Sequence, residues 1–339
     1  KGGFTRAQDF PDVRINAGSV LAVDFDNDND KDLLIGARCV PGAFPTAPKS
    51  FLLKNDNVKF KDVTKDIFPD LDGLGMISDI EAADLDKDGK LEFVIVGEWM
   101  PVSVFSFDGG KYVNVTKSYG FENTAGWWKT VTVSDMDGDG DVDAILGDNS
   151  CTHLVYYRKG GSASSAEMDE KDSLWQSNGK EYNMTVFPAG FFVDYNNDSD
   201  GDLIVTTNDH QLGLNTEHIW LYENFNTNDT FDLQFQTDTF LISDIIDIGS
   251  YSKPIFFNYN NDNLPDIVAG ASTTFGKSAT FKYGLWLYKN TGTTTSPKFE
   301  LVSKDFGGLN SYAQSHLAPA SGDIDNDGET EYVLEFIFC

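Results

Sequence analysis

Asp135-Met136-Asp137-Gly138-Asp139-Gly140-Asp141-Val142-Asp143, running directly into Ala144-Ile145-Leu146-Gly147, is the stretch on which the fold turns. Every second residue from Asp135 to Asp143 is an aspartate, and an apolar run follows. Carboxylates held this close repel by about 1 kcal/mol per pair even in a water-like dielectric. The arrangement becomes favourable when a hard cation gathers several oxygens at roughly 2.3–2.6 Å, from side chains and backbone together.

Five further windows repeat the pattern: Asp24-Phe25-Asp26-Asn27-Asp28-Asn29-Asp30-Lys31-Asp32, Asp84-Leu85-Asp86-Lys87-Asp88-Gly89-Lys90-Leu91-Glu92, Asp194-Tyr195-Asn196-Asn197-Asp198-Ser199-Asp200-Gly201-Asp202, Asn258-Tyr259-Asn260-Asn261-Asp262-Asn263-Leu264-Pro265-Asp266 and Asp323-Ile324-Asp325-Asn326-Asp327-Gly328-Glu329-Thr330-Glu331. Position 6 is Gly89, Gly140 or Gly328 in three windows, where a sharp turn needs positive φ. Asn29 and Asn263 stand there in two others, and asparagine is the next residue to tolerate that conformation. Ser199 is the weak substitution. One window alone reads equally well as a solvated acidic turn, whereas six in register read as calcium loops.

By position, side-chain ligands are expected from 1, 3, 5 and 9, and a backbone carbonyl from position 7. The position-7 residues are Asp30, Lys90, Asp141, Asp200, Leu264 and Glu329. The Asn258–Asp266 window has two carboxylates and two amides and is expected to be the weakest of up to six Ca²⁺ sites. An EF-hand is excluded, because it needs Glu at position 12, and that place holds Ile35, Ile95, Leu146, Val205, Ala269 and Leu334.

The windows hold 25 of the 54 Asp+Glu against Lys31, Lys87 and Lys90, so they carry -22 of the formal charge of -29 over 339 residues. This balance disfavours nucleic acid and anionic membranes, which require clustered positive charge. Hydrophobic content of 40%, with 26 Phe, 13 Tyr and 6 Trp, suffices for a packed core rather than a disordered chain. No segment approaches the roughly 18 uninterrupted apolar residues of a membrane span, so no direct membrane insertion is expected. Cys39, Cys151 and Cys339 are too few for a disulfide framework; one pair could bridge. The chain opens at Lys1 and stops inside the apolar run 332–338, which reads as a soluble piece of a longer protein.

The windows begin at 24, 84, 135, 194, 258 and 323, a period of about 60. Each follows a β-rich run and leads into another, so each is expected to be the turn of a hairpin. A third run recurs as Phe51–Asn55, Ile219–Asn224 and Leu285–Asn290, with Leu154–Arg158 a looser copy; a fourth recurs as Val58–Val63, Lys111–Val115, Phe231–Phe235 and Lys298–Val302. Four antiparallel strands per period predict the blade of a β-propeller. The expectation is an all-β single domain over 1–339, with calcium loops in the first hairpin of each blade. Its six repeats fall near 18–77, 78–127, 128–187, 188–249, 250–316 and 317–339, closed by an N-terminal strand within 1–17.

The loops followed by an apolar strand and glycine resemble FG-GAP (VCBS, integrin-α N-terminal-like) repeats over essentially the whole chain. Residues 19–150, with 97–105 and Gly126-Trp127-Trp128, are similar to cartilage-acidic-protein-like surface proteins, and 190–331, with Leu287–Gly292 and Ser296–Phe299, to secreted FG-GAP proteins of bacterial surfaces. The resemblance implies a seven-bladed propeller with calcium in hairpins on one face and ligand contacts on the other. Six loops are present here, and the fifth is poor in charge.

Catalytic motifs are missing from the sequence. His153, His210, His218 and His316 are the only histidines, and none falls in HExxH; no Gly-x-Ser-x-Gly elbow, P-loop or Rossmann glycine pattern occurs. The polar stretch 159–180, with Gly160–Ser165, reads as a long surface loop. Trp99, Trp127, Trp128 and Trp220 have the chemistry to stack on sugars, although core packing is the commoner use of such rings. Asn114, Asn183 and Asn228 head sequons that a eukaryotic secretory pathway would glycosylate. Multiple low-affinity calcium sites suit an extracellular or cell-surface setting. The expectation is therefore a non-enzymatic, secreted, calcium-binding propeller serving as an adhesion or ligand-binding module for a protein or glycan. The alternatives are a polysaccharide lyase or hydrolase, or a calcium-dependent lectin, on the same scaffold. A cleft joining a histidine to Arg14, Arg38 or Arg158 would favour the enzyme.

Overall fold

A computed structural model describes residues 10–137, 139–162, 165–172, 176–177, 180–181, 188–198, 200–207, 217–225, 232–248, 252–271, 284–312, 317–322 and 331–336. Among them every element longer than seven residues is a strand. The first sheet is an antiparallel meander of β1 (Asn16–Val23), β2 (Asp32–Cys39), β3 (Phe51–Asp56) and β4 (Lys59–Asp62), followed by the single turn α1 (Thr64–Ile67). The same order repeats in β5 (Met76–Ala83), β6 (Glu92–Met100), β7 (Ser103–Asp108) and β8 (Lys111–Asn114). It repeats again in β9 (Gly126–Ser134), β10 (Asp143–Asp148), β11 (Leu154–Ser162) and β12 (Ser165–Asp172). Pairs Glu98↔Trp127 and Met100↔Gly126 join these two meanders into one eight-stranded sheet.

After the short pair β13 (Gln176–Ser177) and β14 (Lys180–Glu181) comes a meander of β15 (Pro188–Val193), β16 (Asp202–Thr207), β17 (Ile219–Asn224) and β18 (Leu233–Thr237). The next consists of β19 (Lys253–Phe257), β20 (Asp266–Ala271), β21 (Gly284–Asn290) and β22 (Phe299–Ser303); β23 (Leu317–Gly322) pairs with β24 (Glu331–Phe336). The protein is thus all-β, with four-stranded antiparallel sheets recurring at the period of the acidic windows. Each window from 24, 84, 135, 194 and 258 joins the first and second strands of its sheet. Of the expected N-terminal closing strand within 1–17, residues 1–9 lie outside the described residues, 10–15 are not in a strand, and 16–17 open β1.

Contacts group the chain into two compact units, Lys1–Asp209 with His218–Phe240, and His210–Glu217 with Leu241–Cys339. In the first unit each core cluster draws on two consecutive sheets. Leu34 and Leu52 pack with Ile77, Phe93 and Phe105; Val94 and Val96 pack with Val131 and Leu146; Ile145 and Tyr156 pack with Leu203 and Tyr222. Neighbouring residues of one strand therefore serve opposite cores, as the two-residue side-chain period requires. This explains why Phe93-Val94-Ile95-Val96 is continuously apolar rather than alternating: both faces of β6 are buried. The second unit repeats the arrangement, with Val268 and Leu285 in one cluster and Ala269 and Trp286 in another.

Glycine at the end of the second strand is required by close approach. A Cβ on Gly147 would run into the carbonyl oxygen of Pro188 in β15, and one on Gly270 into that of Leu317 in β23. In each unit the next sheet's first strand lies directly against this glycine.

One expectation is overturned. Residues 159–180 do not form a long surface loop, because β11 continues to Ser162 and pairs with β12 from Tyr156↔Asp172 to Ser162↔Ser165. The stretch is polar, but outer strands need only backbone pairing on one side and lack the apolar alternation that reveals a half-buried strand. Cys39 and Cys151 are free thiols, and Cys339 lies outside the described residues. Among the described residues no helix is long and apolar enough to cross a membrane.

Candidate metal centres

The last acid of each described window opens the second strand and is buried: Asp32, Glu92, Asp143, Asp202 and Asp266. One carboxylate oxygen accepts the N–H of window position 2, from Phe25 to Asp32 (3.2 Å), Leu85 to Glu92 (2.9 Å), Met136 to Asp143 (3.2 Å), Tyr195 to Asp202 (3.2 Å) and Tyr259 to Asp266 (3.0 Å). The other oxygen reaches the third strand. It accepts the N–H of Asn55 (2.7 Å), Lys159 (2.8 Å), Asn224 (2.9 Å) or Asn290 (2.7 Å), and at Glu92 the hydroxyl of Ser106 (2.9 Å). Burial pushes the carboxyls of Asp32, Glu92, Asp143 and Asp202 up, Asp143 to about 7, while these donors pull the other way. A cation alongside would oppose the rise.

The loops themselves share one geometry. The position-5 carboxylate accepts the position-7 N–H in Asp28–Asp30 (2.9 Å), Asp88–Lys90 (2.8 Å), Asp139–Asp141 (2.8 Å), Asp198–Asp200 (2.9 Å) and Asp262–Leu264 (2.9 Å). Position 6 has positive φ at Asn29, Gly89, Gly140 and Asn263 (71°, 86°, 87° and 66°), as the sequence pattern requires. Position 4 does too, at Asn27, Lys87, Asn197 and Asn261 (60°, 61°, 61° and 56°). The sequence signal for this second left-handed residue was the recurrence of Asn at position 4.

Four windows bring three carboxylates together, with one oxygen of each within 4.8 Å of the others: Asp24, Asp26 and Asp32; Asp84, Asp86 and Glu92; Asp135, Asp137 and Asp143; Asp194, Asp198 and Asp202. These are positions 1, 3 and 9, except that Asp198 at position 5 joins the fourth group, where position 3 is Asn196. Asp26 Oδ1 and Asp84 Oδ1 are buried and accept no hydrogen bond. In the fifth window Asn258 and Asn260 leave only Asp262 and Asp266 as carboxylates. Asp323, Asp325, Asp327 and Glu329 lie outside the described residues, and Glu331 opens β24.

One set of neighbours escaped the sequence reading. On the third strand, the residue following the partner of window position 10 faces the loop in each of the five four-stranded meanders: Lys54, Ser106, Arg158, Glu223 and Lys289. Lys54 pairs with Asp26 and, at 3.2 Å, with Asp28; its ammonium is held above its usual range, chiefly by the bond to Asp26. Arg158 pairs with Asp137 at 2.6 Å and Asp139 at 3.7 Å, and Lys289 with Asp262 at 3.8 Å. At the fourth window the same place holds an acid, and Glu223 accepts the Asn196 amide at 3.1 Å. The buried Lys159 ammonium donates to the Leu85 carbonyl (2.9 Å) and meets Asp141 at 3.2 Å, tying the second hairpin to the third. The signal was present in the recurring third run, where Lys54, Glu223 and Lys289 each precede an Asn.

The tryptophans divide. Trp128 is buried and its indole donates to the Thr124 carbonyl (2.8 Å), and Trp220 packs on Phe235 (5.7 Å), whereas Trp99 and Trp127 are exposed. His153 lies within 3.5 Å of the Thr152 hydroxyl, and His210 and His316 fall outside the described residues.

The model of the FG-GAP-like repeat matches residues 84–146. The match runs from the first acid of the second window to the strand after the third, one full period. No curated protein sequence matches the chain. Among solved structures, a lectin of Agrocybe aegerita, described for specific recognition of non-reducing terminal N-acetylglucosamine, aligns over 94% of this chain and 75% of its own, at 17% identity and a TM-score of 0.43. A likeness that loose carries no argument about fold or ligand.

Proposed function

We propose that this chain, which carries an FG-GAP-like repeat over residues 84–146, is a non-enzymatic, calcium-stabilised β-propeller displaying binding loops outside the cell. Meanders of four antiparallel strands that share cores in succession are what blades look like within each unit. The observation that carries the reading is the convergence of three carboxylates in each of four hairpins, two of them containing a buried oxygen that accepts no hydrogen bond. Oxygens gathered in this way suit a hard divalent cation. The holding residues would be Asp24, Asp26 and Asp32; Asp84, Asp86 and Glu92; Asp135, Asp137 and Asp143; and Asp194, Asp198 and Asp202, with carbonyl oxygens completing each shell.

The ion's contribution is positive charge that cancels carboxylate repulsion. The protein's contribution is a hairpin already turned by its own hydrogen bonds and fastened to the third strand through the position-9 acid. At free calcium about 100-fold above Kd, each site adds about 2.7 kcal/mol of stability if the unfolded chain does not bind. An extracellular setting, where such ions are abundant, suits several sites of modest affinity.

The test is thermal unfolding of the full chain in millimolar calcium and in excess chelator. The melting temperature is expected to fall by ten degrees or more on chelation, since several sites act together. Coincident melts in the two buffers would remove calcium from the account.

A further inference from the structure

Three large aromatic rings stand exposed at the strand ends remote from the acidic hairpins of the first unit. Trp99 is 55%, Phe44 58% and Trp127 37% exposed. Phe44 meets Trp99 edge-on with ring centroids 5.2 Å apart, and Trp99 lies 5.9 Å from Trp127. Trp99 stands seven residues along β6 from Glu92, roughly 23 Å away at about 3.3 Å per residue. Trp127 is near the start of β9, whose far end leads into Asp135.

The backbone presents these rings by an irregularity. Pairing of β6 with β9 steps from Glu98↔Trp127 to Met100↔Gly126, so Trp99 is the extra residue of a bulge. It has φ of 56°, which is costly for a bulky residue. Bulges re-aim side chains and recur beside functional sites. Here the ring is turned outward, while Trp128 next to Trp127 goes into the core.

Polar groups border the rings. Glu98, buried, accepts a hydrogen bond from Nε of the half-exposed Arg38 at 2.8 Å, and Nη2 of the same guanidinium lies 2.8 Å from its carboxylate. Lys129 lies close to the pair; burial, and Arg38 beside it, hold its ammonium below the usual range. The Asn149 N–H donates to the Trp127 carbonyl at 2.8 Å, fastening the loop between β10 and β11 beneath that residue. Flat rings next to a carboxylate and a guanidinium match a sugar, which has an apolar face for stacking and an edge of hydroxyls that both donate and accept. A formal charge of -29 disfavours an anionic polymer as the stacked ligand.

We propose that Phe44, Trp99 and Trp127, with the Arg38–Glu98 pair, form a binding platform for a neutral glycan. This names the ligand of the display surface proposed above and rests on that reading. The platform supplies stacking area, and the ion pair selects the orientation of hydroxyls.

The experiment titrates the full chain, in calcium, with neutral oligosaccharides of hexoses, N-acetylhexosamines and pentoses, followed by tryptophan emission and calorimetry. At least one oligosaccharide is expected to give a saturable change. Trp99→Ala and Trp127→Ala are each expected to weaken it about tenfold or more, with melting temperatures close to the parent because both rings are exposed. Trp220→Phe, away from the platform, should bind like the parent. No response from any saccharide, or equal binding by the Trp99→Ala/Trp127→Ala double variant, overturns the platform. A calcium-dependent melt without saccharide binding removes the platform alone. Variant-sensitive binding with a calcium-independent melt supports the platform and removes the calcium reading.

Discussion

Lys54, Ser106, Arg158, Glu223 and Lys289 occupy one register position, and their charges differ while the loops they face are alike. A lysine or arginine there is a tethered cation competing with any ion for the same carboxylates; a glutamate adds to the negative field. Interactions at 3–4 Å near a surface are large enough for one such charge to change affinity by about tenfold. Glu223→Lys is therefore expected to weaken calcium binding at the fourth hairpin about tenfold, and Lys54→Ser to strengthen it at the first. Calorimetric titrations should show one site leaving or joining the tight class. Equal isotherms for parent and variants would mean that the third strand does not tune the loops. The recurring third run marks the position, but not which loop residue it meets, because Lys54 reaches Asp28 across 26 residues and a strand pairing that local pattern cannot register.

At the scale of the element, the hairpin was legible because its determinants lie within nine residues: alternating acids, a left-handed turn residue and an apolar strand after them. The polar hairpin of β11 and β12 was not legible, since its order comes from partners on the neighbouring strand rather than from apolar periodicity. The glycine closing the second strand belongs to this scale too. Gly147→Val would drive a branched side chain into the Pro188 carbonyl, and overpacking against backbone leaves no side chain to yield. A loss of about 2–4 kcal/mol is expected, read as a lower denaturant midpoint with an unchanged slope. A variant as stable as the parent would show that β10 and β15 do not approach so closely.

At the scale of the whole molecule, most of the charge of -29 sits in the acidic windows. Acids outside them are shifted as well. Burial, reinforced by Asp79, pushes the half-buried Glu81 of β5 up to about 7 from an ordinary 4.5. Asp79 is itself raised by burial, although the N–H groups of Val131 and Ile80 and the Ser19 hydroxyl bond to it. Since the folded form holds the Glu81 proton more tightly than the unfolded form, this group favours folding below pH 4.5. The advantage is lost as pH rises through 7. Glu81→Gln should thus raise stability at pH 8 by about 1 kcal/mol, allowing for solvent screening at this half-buried position, and change little at pH 4.5. Melting curves of parent and variant at the two pH values check it; an equal shift at both would refute the titration.

The acidic windows, their period of about 60 and the apolar strands after them were determined by sequence alone, because tight acidic turns and strand runs are local and leave their carboxylates and φ requirements in consecutive residues. Only the tertiary structure decided which of Trp127 and Trp128 faces outward, which third-strand charge meets each loop, and that Trp99 is thrown out by a bulge. Those outcomes depend on strand register between residues far apart in the chain, where a shift of one place exchanges buried and exposed faces.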